Sequence, residues 1–332
     1  MNLIISDIIQ KALDGGELDA SELRELFAVH HLSAESYLIQ QAGRQMSEKA
    51  SNGKAEIHGQ VGINSGICPR NCEFCSFAEV NGIFHESVER SVEEVAAGAL
   101  DFESAGANAI YLMATAMYKL DDYLKMGSEI RKILKPETPL IANFGDIDEE
   151  GAKALKDCGF NGIYHAIRLG EGVHTQLDPQ ERWRTVEAAQ KVGLAIGTCL
   201  EPVGPEHSID ELVEKTLLIR RMKPVYSGTG RRIPIPNTAM AAHGIMSYAR
   251  MAPIVAIVRL AMGYGVIGNA THEPHGVGAM AGANLLWAER GANPRDTAAE
   301  TVRGWSVDAT REVFFEAGWE VLDGPSAMYC PG

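Results

Sequence analysis

Short apolar segments alternate with amphipathic segments along most of this chain. The apolar runs fall near residues 57–63, 109–114, 139–144, 162–166, 194–200, 225–230, 265–269 and 284–288. The segments between and after them have helical periodicity, near residues 91–103, 120–134, 149–157, 181–192, 208–221, 239–262, 276–282 and 308–317. Strands that alternate with helices are typical of a parallel sheet. The pattern therefore predicts the α/β class, as a (β/α)8 barrel of the TIM type, whose chemistry lies at the C-terminal strand ends.

The residues before the first predicted strand have a helical pattern. Asp19 begins a capping sequence, and Ser33 is the candidate cap of a further helix. The sequence Ser51-Asn52-Gly53 ends that helix. We therefore predict an N-terminal helical extension, residues 1–54, lying across the bottom of the barrel. The barrel and a C-terminal helical segment take up residues 55–332.

Composition narrows the class of protein. The chain has 332 residues, of which 45% are hydrophobic and 22% are charged, as expected of a globular protein with a sizeable core. Its net charge of −14 argues against a nucleic-acid partner. No apolar run reaches about 18 residues, so no membrane span is predicted. Six cysteines without a signal peptide predict a cytoplasmic location, where thiols stay reduced.

Three of these cysteines lie close together after the first predicted strand. Cys68, Cys72 and Cys75 have the spacing Cys-x3-Cys-x2-Cys, which is typical of a [4Fe–4S] cluster held by three thiolates. The fourth iron then has no protein ligand and can bind the amino and carboxylate groups of a methionine. A structural zinc site would need a fourth nearby Cys or His, and the nearest downstream histidine is His85. A disulfide fits the reducing context less well.

This loop resembles the cysteine loop of the radical S-adenosylmethionine (SAM) superfamily. The N-terminal helices and the complete barrel resemble its biotin-synthase-like branch, which includes biotin synthase, the radical SAM maturase of [FeFe]-hydrogenase and methylornithine synthase. The resemblance covers about residues 35–290. It implies two cofactors, a [4Fe–4S] cluster on the three cysteines and SAM.

The resemblance also implies a set of residues that bind SAM: Phe74, Met113, Ala114, Thr115, Arg168, Glu171, Arg182, Val203 and Gly204. In the family, the aromatic residue of the cysteine loop packs by adenine, and so does a turn after the fifth strand. Backbone carbonyls at the end of the second strand hold the methionine amino group, and polar residues after the fourth strand meet the ribose. Arg182 matches an arginine that holds the SAM carboxylate, which a planar guanidinium can grip with two hydrogen bonds. The alternative for Arg182 is an arginine facing solvent.

Further polar residues at predicted strand ends are candidates for a substrate pocket: His165, Glu201, Arg231, Arg232, Thr271 and His272. A buried carboxylate such as Glu201 needs a cationic partner or a substrate. Arg231 and Arg232 favour an anionic or zwitterionic small molecule, or else they pair with Glu201 and Glu171. His272 and His275 with Glu273 are possible metal ligands, but substrate hydrogen bonding fits their spacing better.

Biotin synthase holds a second cluster on interior strand positions, which correspond to Tyr111, Ile141 and Thr198 in this chain. None of them is a cysteine, and Cys199 is expected to face the other side of its strand. These positions argue against sulfur insertion of the biotin or lipoyl synthase type, unless Cys199 or Cys330 recruits a second cluster.

The sequence therefore predicts a radical SAM enzyme that abstracts hydrogen from a small substrate. The step belongs to cofactor or modified-amino-acid biosynthesis, and rearrangement or fragmentation is the favoured outcome. The expected partners are this substrate and an electron donor such as flavodoxin or ferredoxin. Assembly of a hydrogenase metal cofactor, a non-catalytic iron–sulfur electron carrier and a barrel enzyme with a structural metal are the remaining alternatives.

Overall fold

The computed structural model describes residues 3–330. Eight parallel strands in this part of the chain close into a barrel, because each pairs with the next and the eighth pairs with the first. They are β1 (Lys54–Gly62), β2 (Ala109–Met113), β3 (Leu140–Asn143), β4 (Gly162–Tyr164), β5 (Ala195–Gly197), β6 (Tyr226–Arg231), β7 (Gly268–Thr271) and β8 (Leu285–Arg290). This closure confirms the predicted (β/α)8 fold.

Helices surround the barrel and precede it. They are α1 (Leu3–Leu13), α2 (Ala20–Ala28), α3 (Ala34–Ala50), α4 (Val92–Ser104), α5 (Leu120–Ile133), α6 (Glu149–Asp157), α7 (Pro179–Lys191), α8 (Ile209–Arg221), α9 (Tyr248–Met262), α10 (Gly276–Met280) and α11 (Val307–Glu316). The predicted caps are present: Asp19 forms a capping box with Glu22, and the Ser33 side chain accepts a hydrogen bond from the Ser36 N–H. Such caps satisfy backbone donors that the first helical turn leaves free.

The predicted helix over residues 239–262 is wrong, because the chain forms two elements there. Ala239–His243 is a short 3-10 helix that ends at Gly244, whose φ of 73° lies in the left-handed region. The α-helix starts afresh at Ser247, whose side chain caps it. Met246 is buried, so apolar residues recur at helical spacing across this break. The hydrophobic pattern therefore did not indicate the turn.

Two strands also differ from their predicted bounds. β7 begins at Gly268, because Gly268 is the first residue to pair with β6, and it ends at Thr271. The apolar run had predicted this strand near residues 265–269. β5 stops at Gly197, and a separate strand, Leu200–Val203, then pairs with β6 across a register shift. Because the chain between these two strands is irregular, its side chains do not keep the regular alternation between the two faces of the sheet.

The bottom of the barrel is closed by the C-terminal segment. The Asn108 side chain donates to the carbonyls of Leu322 and Gly324, and the Tyr329 hydroxyl lies 2.8 Å from the Tyr111 hydroxyl inside the barrel. The predicted position of the N-terminal helices across the bottom is therefore wrong. They pack beside the barrel against α8 and α9, because their buried faces share one apolar cluster with those helices.

The division into an extension (1–54) and a barrel (55–332) stays a prediction, and residues 1–2 and 331–332 lie outside the described part of the chain. No helix between residues 3 and 330 is long and apolar enough to cross a membrane. Two apolar layers hold the barrel together. One lies between the strands and the outer helices, and the other fills the barrel interior with aromatic rings. The upper end of the interior stays open, and the polar strand ends gather there.

Candidate active site

The loop after β1 carries the three cysteines in a tightly folded backbone. Gly66 has a φ of 127°, and a Cβ there would lie 2.5 Å from the Ser87 Cα, so only glycine fits. Asn71 also has a left-handed φ of 47°, and its side-chain oxygen accepts the Val80 N–H. The Cys68 N–H donates to the Phe77 carbonyl at 2.7 Å. These bonds fold the loop back on itself and bring its thiols to one side.

Asn81 holds the same loop from behind. Its side-chain amide donates to the carbonyls of Cys72, Glu73 and Cys75, at 3.3, 3.5 and 2.7 Å. His174, in the loop after β4, adds a second support, because its ring lies 2.9 Å from the Glu73 carboxylate. Asn81 was not predicted from the sequence, because a lone asparagine six residues beyond the last cysteine belongs to no recognisable motif.

Cys68, Cys72 and Cys75 are free cysteines that line one cavity. Burial raises the pKa of Cys72 to about 11 and that of Cys75 to about 12, so metal binding must displace their protons. No three His, Cys, Asp or Glu side chains in residues 3–330 converge on a single metal ion. A cubane cluster does not require such convergence, because each thiolate binds a different iron. The thiols therefore fit a [4Fe–4S] cluster better than one zinc ion.

The cavity opens at the C-terminal ends of the barrel strands and encloses about 1360 Å³, including the solvent at its mouth. Ten of the predicted site residues line it: Phe74, Met113, Ala114, Thr115, Arg168, Arg182, Glu201, Arg231, Arg232 and His272. The Met113 and Thr115 carbonyls accept N–H groups of Ile63 and Tyr118. Among the described residues, no backbone donor reaches the Ala114 carbonyl. This free acceptor fits the predicted position of the methionine amino group.

Five predicted site residues lie behind the cavity wall: Glu171, Val203, Gly204, His165 and Thr271. Val203 is fully buried, and the Gly204 N–H donates to the His207 ring. The Thr271 hydroxyl lies 3.4 Å from the His275 ring. They do not line the cavity, and their predicted contacts with SAM or substrate stay predictions.

Arg168 is held between two carboxylates. Its Nε lies 3.3 Å from Glu201 and its Nη1 lies 3.7 Å from Glu171. Glu171 also accepts the Arg168 N–H at 2.9 Å and the Thr175 hydroxyl at 2.8 Å. Burial alone would lower the pKa of Arg168, but the two carboxylates outweigh it and raise that pKa. Glu171 thus positions the arginine, and Glu201 neutralises it at the cavity wall.

Arg182 is only 3% exposed, which rules out the alternative of an arginine facing solvent. Its Nε and Nη2 donate to the Ala166 carbonyl at 3.1 and 2.7 Å, and its Nη1 donates to Asp146 at 3.1 Å. The His165 ring lies 3.2 Å from the same carboxylate. Burial would raise the pKa of Asp146, but His165 and Arg182 lower it to about 2. The Arg182 guanidinium was predicted to bind the SAM carboxylate, but its N–H groups already donate to protein acceptors.

The two arginines after β6 have partners other than those expected. Arg231 donates to Glu273, which Arg303 also binds, and Arg232 donates to both oxygens of Glu206 at 3.1 and 2.6 Å. The predicted pairing with Glu201 and Glu171 is wrong, because those two carboxylates bind Arg168. Glu206 neutralises Arg232, whereas Arg231 and Arg303 share the single carboxylate of Glu273.

The possible metal site at His272, Glu273 and His275 does not form. His275 caps α10, with its Nδ1 accepting the Gly278 N–H at 2.9 Å, and Glu273 is held by arginines. His272 alone faces the cavity, where its Nε2 lies 3.1 Å from the Tyr164 hydroxyl and 3.2 Å from Glu201. Here His272 contacts protein side chains, and its predicted hydrogen bond to a substrate stays a prediction.

A further part of the cavity wall, in contact with the cysteine loop through the Ser76 N–H and the Pro294 carbonyl, was not predicted from the sequence. Arg295 binds both oxygens of Glu289 at 2.7 Å, and the Gln60 side chain bridges Glu289 and Asn143. Burial raises the pKa of Glu289. Trp287 completes this wall. Gln60, Asn143 and Glu289 lie at C-terminal strand ends, and that position was a usable signal. Arg295 comes from a loop, and no local pattern marks it.

A parallel barrel with three free cysteines at its mouth defines the class of iron–sulfur barrel enzymes. Residues 65–218 match the family model of the radical SAM superfamily. Biotin synthase of Carboxydothermus hydrogenoformans is 23% identical over 261 residues, which cover 76% of this chain and 79% of that protein. Residues 65–218 thus match the radical SAM superfamily, and the chain is similar to the biotin-synthase-like members of it. This similarity implies a [4Fe–4S] cluster and SAM as cofactors.

Two solved structures have the same fold. The FeFe-hydrogenase maturase HydG from Carboxydothermus hydrogenoformans has a TM-score of 0.79 at 20% identity, and the match covers 98% of this chain and 80% of that one. Methylornithine synthase has a TM-score of 0.79 at 14% identity, over 95% of this chain and 97% of that one. At these identities the likeness establishes the architecture, and the reaction has to be argued from the site.

Proposed function

We propose that this radical SAM enzyme abstracts hydrogen from a small polar substrate and rearranges or fragments it. When bound, the cluster and SAM supply a 5′-deoxyadenosyl radical by one-electron reductive cleavage. The observation that carries the proposal is the meeting of three free cysteines, the cavity and the predicted SAM residues at one end of the barrel.

The protein's own part is to bind, orient and exclude water. Ala114 offers a free carbonyl to an ammonium group, and Phe74 offers an aromatic surface on the cavity wall. Arg168 lies on the same wall with its charge balanced by Glu201 and Glu171. Buried, preorganised polar groups orient a ligand without having to reorganise when it arrives. The C-terminal segment closes the far end, which keeps solvent out from below.

The charges of the cavity favour an anionic or zwitterionic substrate. Five arginines on its wall have carboxylate partners: Arg168, Arg182, Arg231, Arg232 and Arg295. A sixth arginine, Arg70, lines the cavity without an ion-pair partner among the described residues, and Arg231 shares Glu273 with Arg303. A substrate carboxylate can therefore be neutralised at this wall without displacing a buried partner.

Sulfur insertion is supported less well than rearrangement. Tyr111, Ile141 and Thr198 are all buried, and none is a sulfur ligand. Cys199 faces the barrel interior, contrary to the sequence prediction, because the chain between β5 and the strand Leu200–Val203 breaks the alternation. One interior cysteine cannot hold a cluster by itself. Cys330 is exposed and lies at the opposite end of the barrel.

Flavodoxin or ferredoxin is the proposed electron donor, and cytoplasm is the proposed location, supported by six free cysteines. Assembly of a hydrogenase metal cofactor stays an alternative that rests on the fold of HydG. A non-catalytic electron carrier is disfavoured, because such a protein has no use for a large cavity beside its cluster.

The test is anaerobic incubation of the reconstituted protein with dithionite and SAM, followed by assay of 5′-deoxyadenosine. We expect its formation by the wild type and its complete loss in Cys72→Ala. Cys158→Ala is the matched control. Cys158 is a free cysteine at the end of α6, away from the cavity, and this variant should retain cluster and turnover.

Two results would contradict the proposal. Absence of SAM binding to protein that carries about four irons would favour the electron carrier. Equal loss of 5′-deoxyadenosine in Cys72→Ala and Cys158→Ala would indicate a general folding effect of cysteine removal. A reproducible content near six or eight irons would instead support sulfur insertion with a second cluster.

A further inference from the structure

A buried tyrosine reaches the cavity at the end of β4. Tyr164 is 8% exposed and lines the cavity, with its hydroxyl 3.1 Å from the His272 Nε2. His272 in turn lies 3.2 Å from Glu201. We call Tyr164, His272 and Glu201 the phenol cluster. Tyr164 ends β4, His272 directly follows β7 and Glu201 lies in the strand after β5, so only the closed barrel brings them together.

The protonation states of the phenol cluster suit a hydrogen donor. Burial raises the pKa of Tyr164 well above its usual value, so the phenol keeps its proton. Burial lowers the pKa of His272 to about 4, so its ring is neutral. The pKa of Glu201 is lowered, since His272 and Arg168 outweigh the cost of burying it, so Glu201 is ionised. A neutral phenol thus lies beside two groups that can accept a proton.

Phenolic O–H bonds are weaker than the C–H bonds of unactivated carbon. A carbon-centred radical in contact with a phenol therefore takes its hydrogen atom in a favourable step. Polar groups beside the oxygen hold the phenol in place and can return a proton to it when the phenoxyl radical is reduced. The rearrangement or fragmentation proposed above needs a donor of this kind, because it leaves a radical on the product that must gain a hydrogen atom.

The other phenols of the barrel are placed differently. Tyr111 also borders the cavity, but its hydroxyl points downward, 2.8 Å from the Tyr329 hydroxyl and 3.1 Å from the His58 ring. Tyr226 lies within the interior aromatic cluster and is fully buried. Among the described residues that line the cavity, Tyr164 is the phenol whose hydroxyl meets the polar wall.

We propose that Tyr164 donates the hydrogen atom of its hydroxyl to a carbon radical formed in the cavity, with His272 and Glu201 as positioning residues. This inference rests on the proposed function and adds the step that ends the radical reaction. It gives a catalytic role to a residue that the motif and the resemblance did not mark. It also predicts that one SAM is consumed for each product formed.

The step balances in atoms and electrons. The O–H bond of Tyr164 breaks, a C–H bond forms on the radical carbon, and a neutral phenoxyl radical remains on Tyr164. One electron from the low-potential donor that also reduces the cluster, together with one proton, restores the phenol. The proton comes from solvent and reaches the oxygen through the contact of Tyr164 with His272, which itself contacts Glu201.

The test needs no identified substrate. Protein with its cluster is incubated anaerobically in D2O with SAM and dithionite in a buffer free of thiols, and the mass of 5′-deoxyadenosine is measured. The exchangeable Tyr164 hydroxyl should transfer one deuterium to most of the 5′-deoxyadenosine formed by the wild type. Tyr164→Phe should give unlabelled 5′-deoxyadenosine, with hydrogen taken from carbon. Rapid freezing should show a phenoxyl radical by electron paramagnetic resonance in the wild type and none in Tyr164→Phe.

Tyr111→Phe is the matched control, because it removes one buried hydroxyl from the same barrel and leaves the phenol cluster intact. It should keep the deuterium label. Iron content and thermal midpoint confirm that both variants fold and carry the cluster. Unlabelled 5′-deoxyadenosine from the wild type, or equal labelling in wild type and Tyr164→Phe, would overturn the proposal. A complete absence of 5′-deoxyadenosine would contradict the proposed function instead.

Discussion

At the scale of single residues, the charges of the site are organised as buried pairs. Arg182 and Asp146 illustrate this, because the arginine places all of its visible hydrogen bonds on Asp146 and the Ala166 carbonyl. Removing one member of such a pair leaves the other charge buried and uncompensated. The same residue type on the surface has a different effect. Arg24 pairs with Asp210, but both side chains are at least half exposed.

We therefore expect Arg182→Met to lower the free energy of unfolding by about 3–5 kcal/mol. Arg24→Met is the matched control and should cost no more than about 1 kcal/mol, because water screens an exposed pair. Urea denaturation of the two variants measures both values. If Arg182→Met matched the control in stability but lost SAM affinity, Arg182 would serve SAM more than the fold, as the resemblance implies.

At the scale of elements, the sequence indicated the helices better than the short strands. α6 has the predicted bounds, since its cap and amphipathic pattern are both local. The missed break before α9 and the shifted start of β7 depend on tertiary pairing. Residues 322–330, which follow α11 and close the barrel, had no periodic signal. This segment is ordered because Asn108 and the barrel interior bind it.

Tyr329 tests how much this segment contributes. Tyr329→Ala should lower the free energy of unfolding by about 3–5 kcal/mol, because it leaves a cavity in the barrel interior. Tyr329→Phe keeps the ring and loses only the hydrogen bond to Tyr111, which is worth about 1 kcal/mol. Thermal or urea unfolding distinguishes the two. Equal small losses would indicate that the segment is not needed to close the barrel.

At the scale of the whole molecule, several buried histidines make stability depend on pH. Burial lowers the pKa values of His165, His272 and His275 to about 4, from an ordinary value of 6.5. The unfolded chain therefore binds more protons than the folded one between these values. Their contribution is fully present above about pH 6.5 and is lost as the pH falls toward 4.

We expect the free energy of unfolding to fall steadily between pH 7 and pH 5, measured by urea denaturation. In His165→Asn this fall should be smaller, whatever the variant's stability at pH 7, because one depressed pKa has been removed. His243→Asn should follow the wild type, since His243 is exposed. A flat profile in the wild type would contradict the burial of these rings as neutral groups.

The sequence by itself determined the barrel, the cysteine loop and hence the class of chemistry. These features depend on local periodicity and on the spacing of Cys68, Cys72 and Cys75. Both are properties of the sequence and do not depend on how the chain folds. Only the tertiary structure decided which charges neutralise each other, and that Tyr164, His272 and Glu201 meet. Those contacts join strands far apart in the chain, and their partners depend on barrel closure and register, which no local pattern encodes.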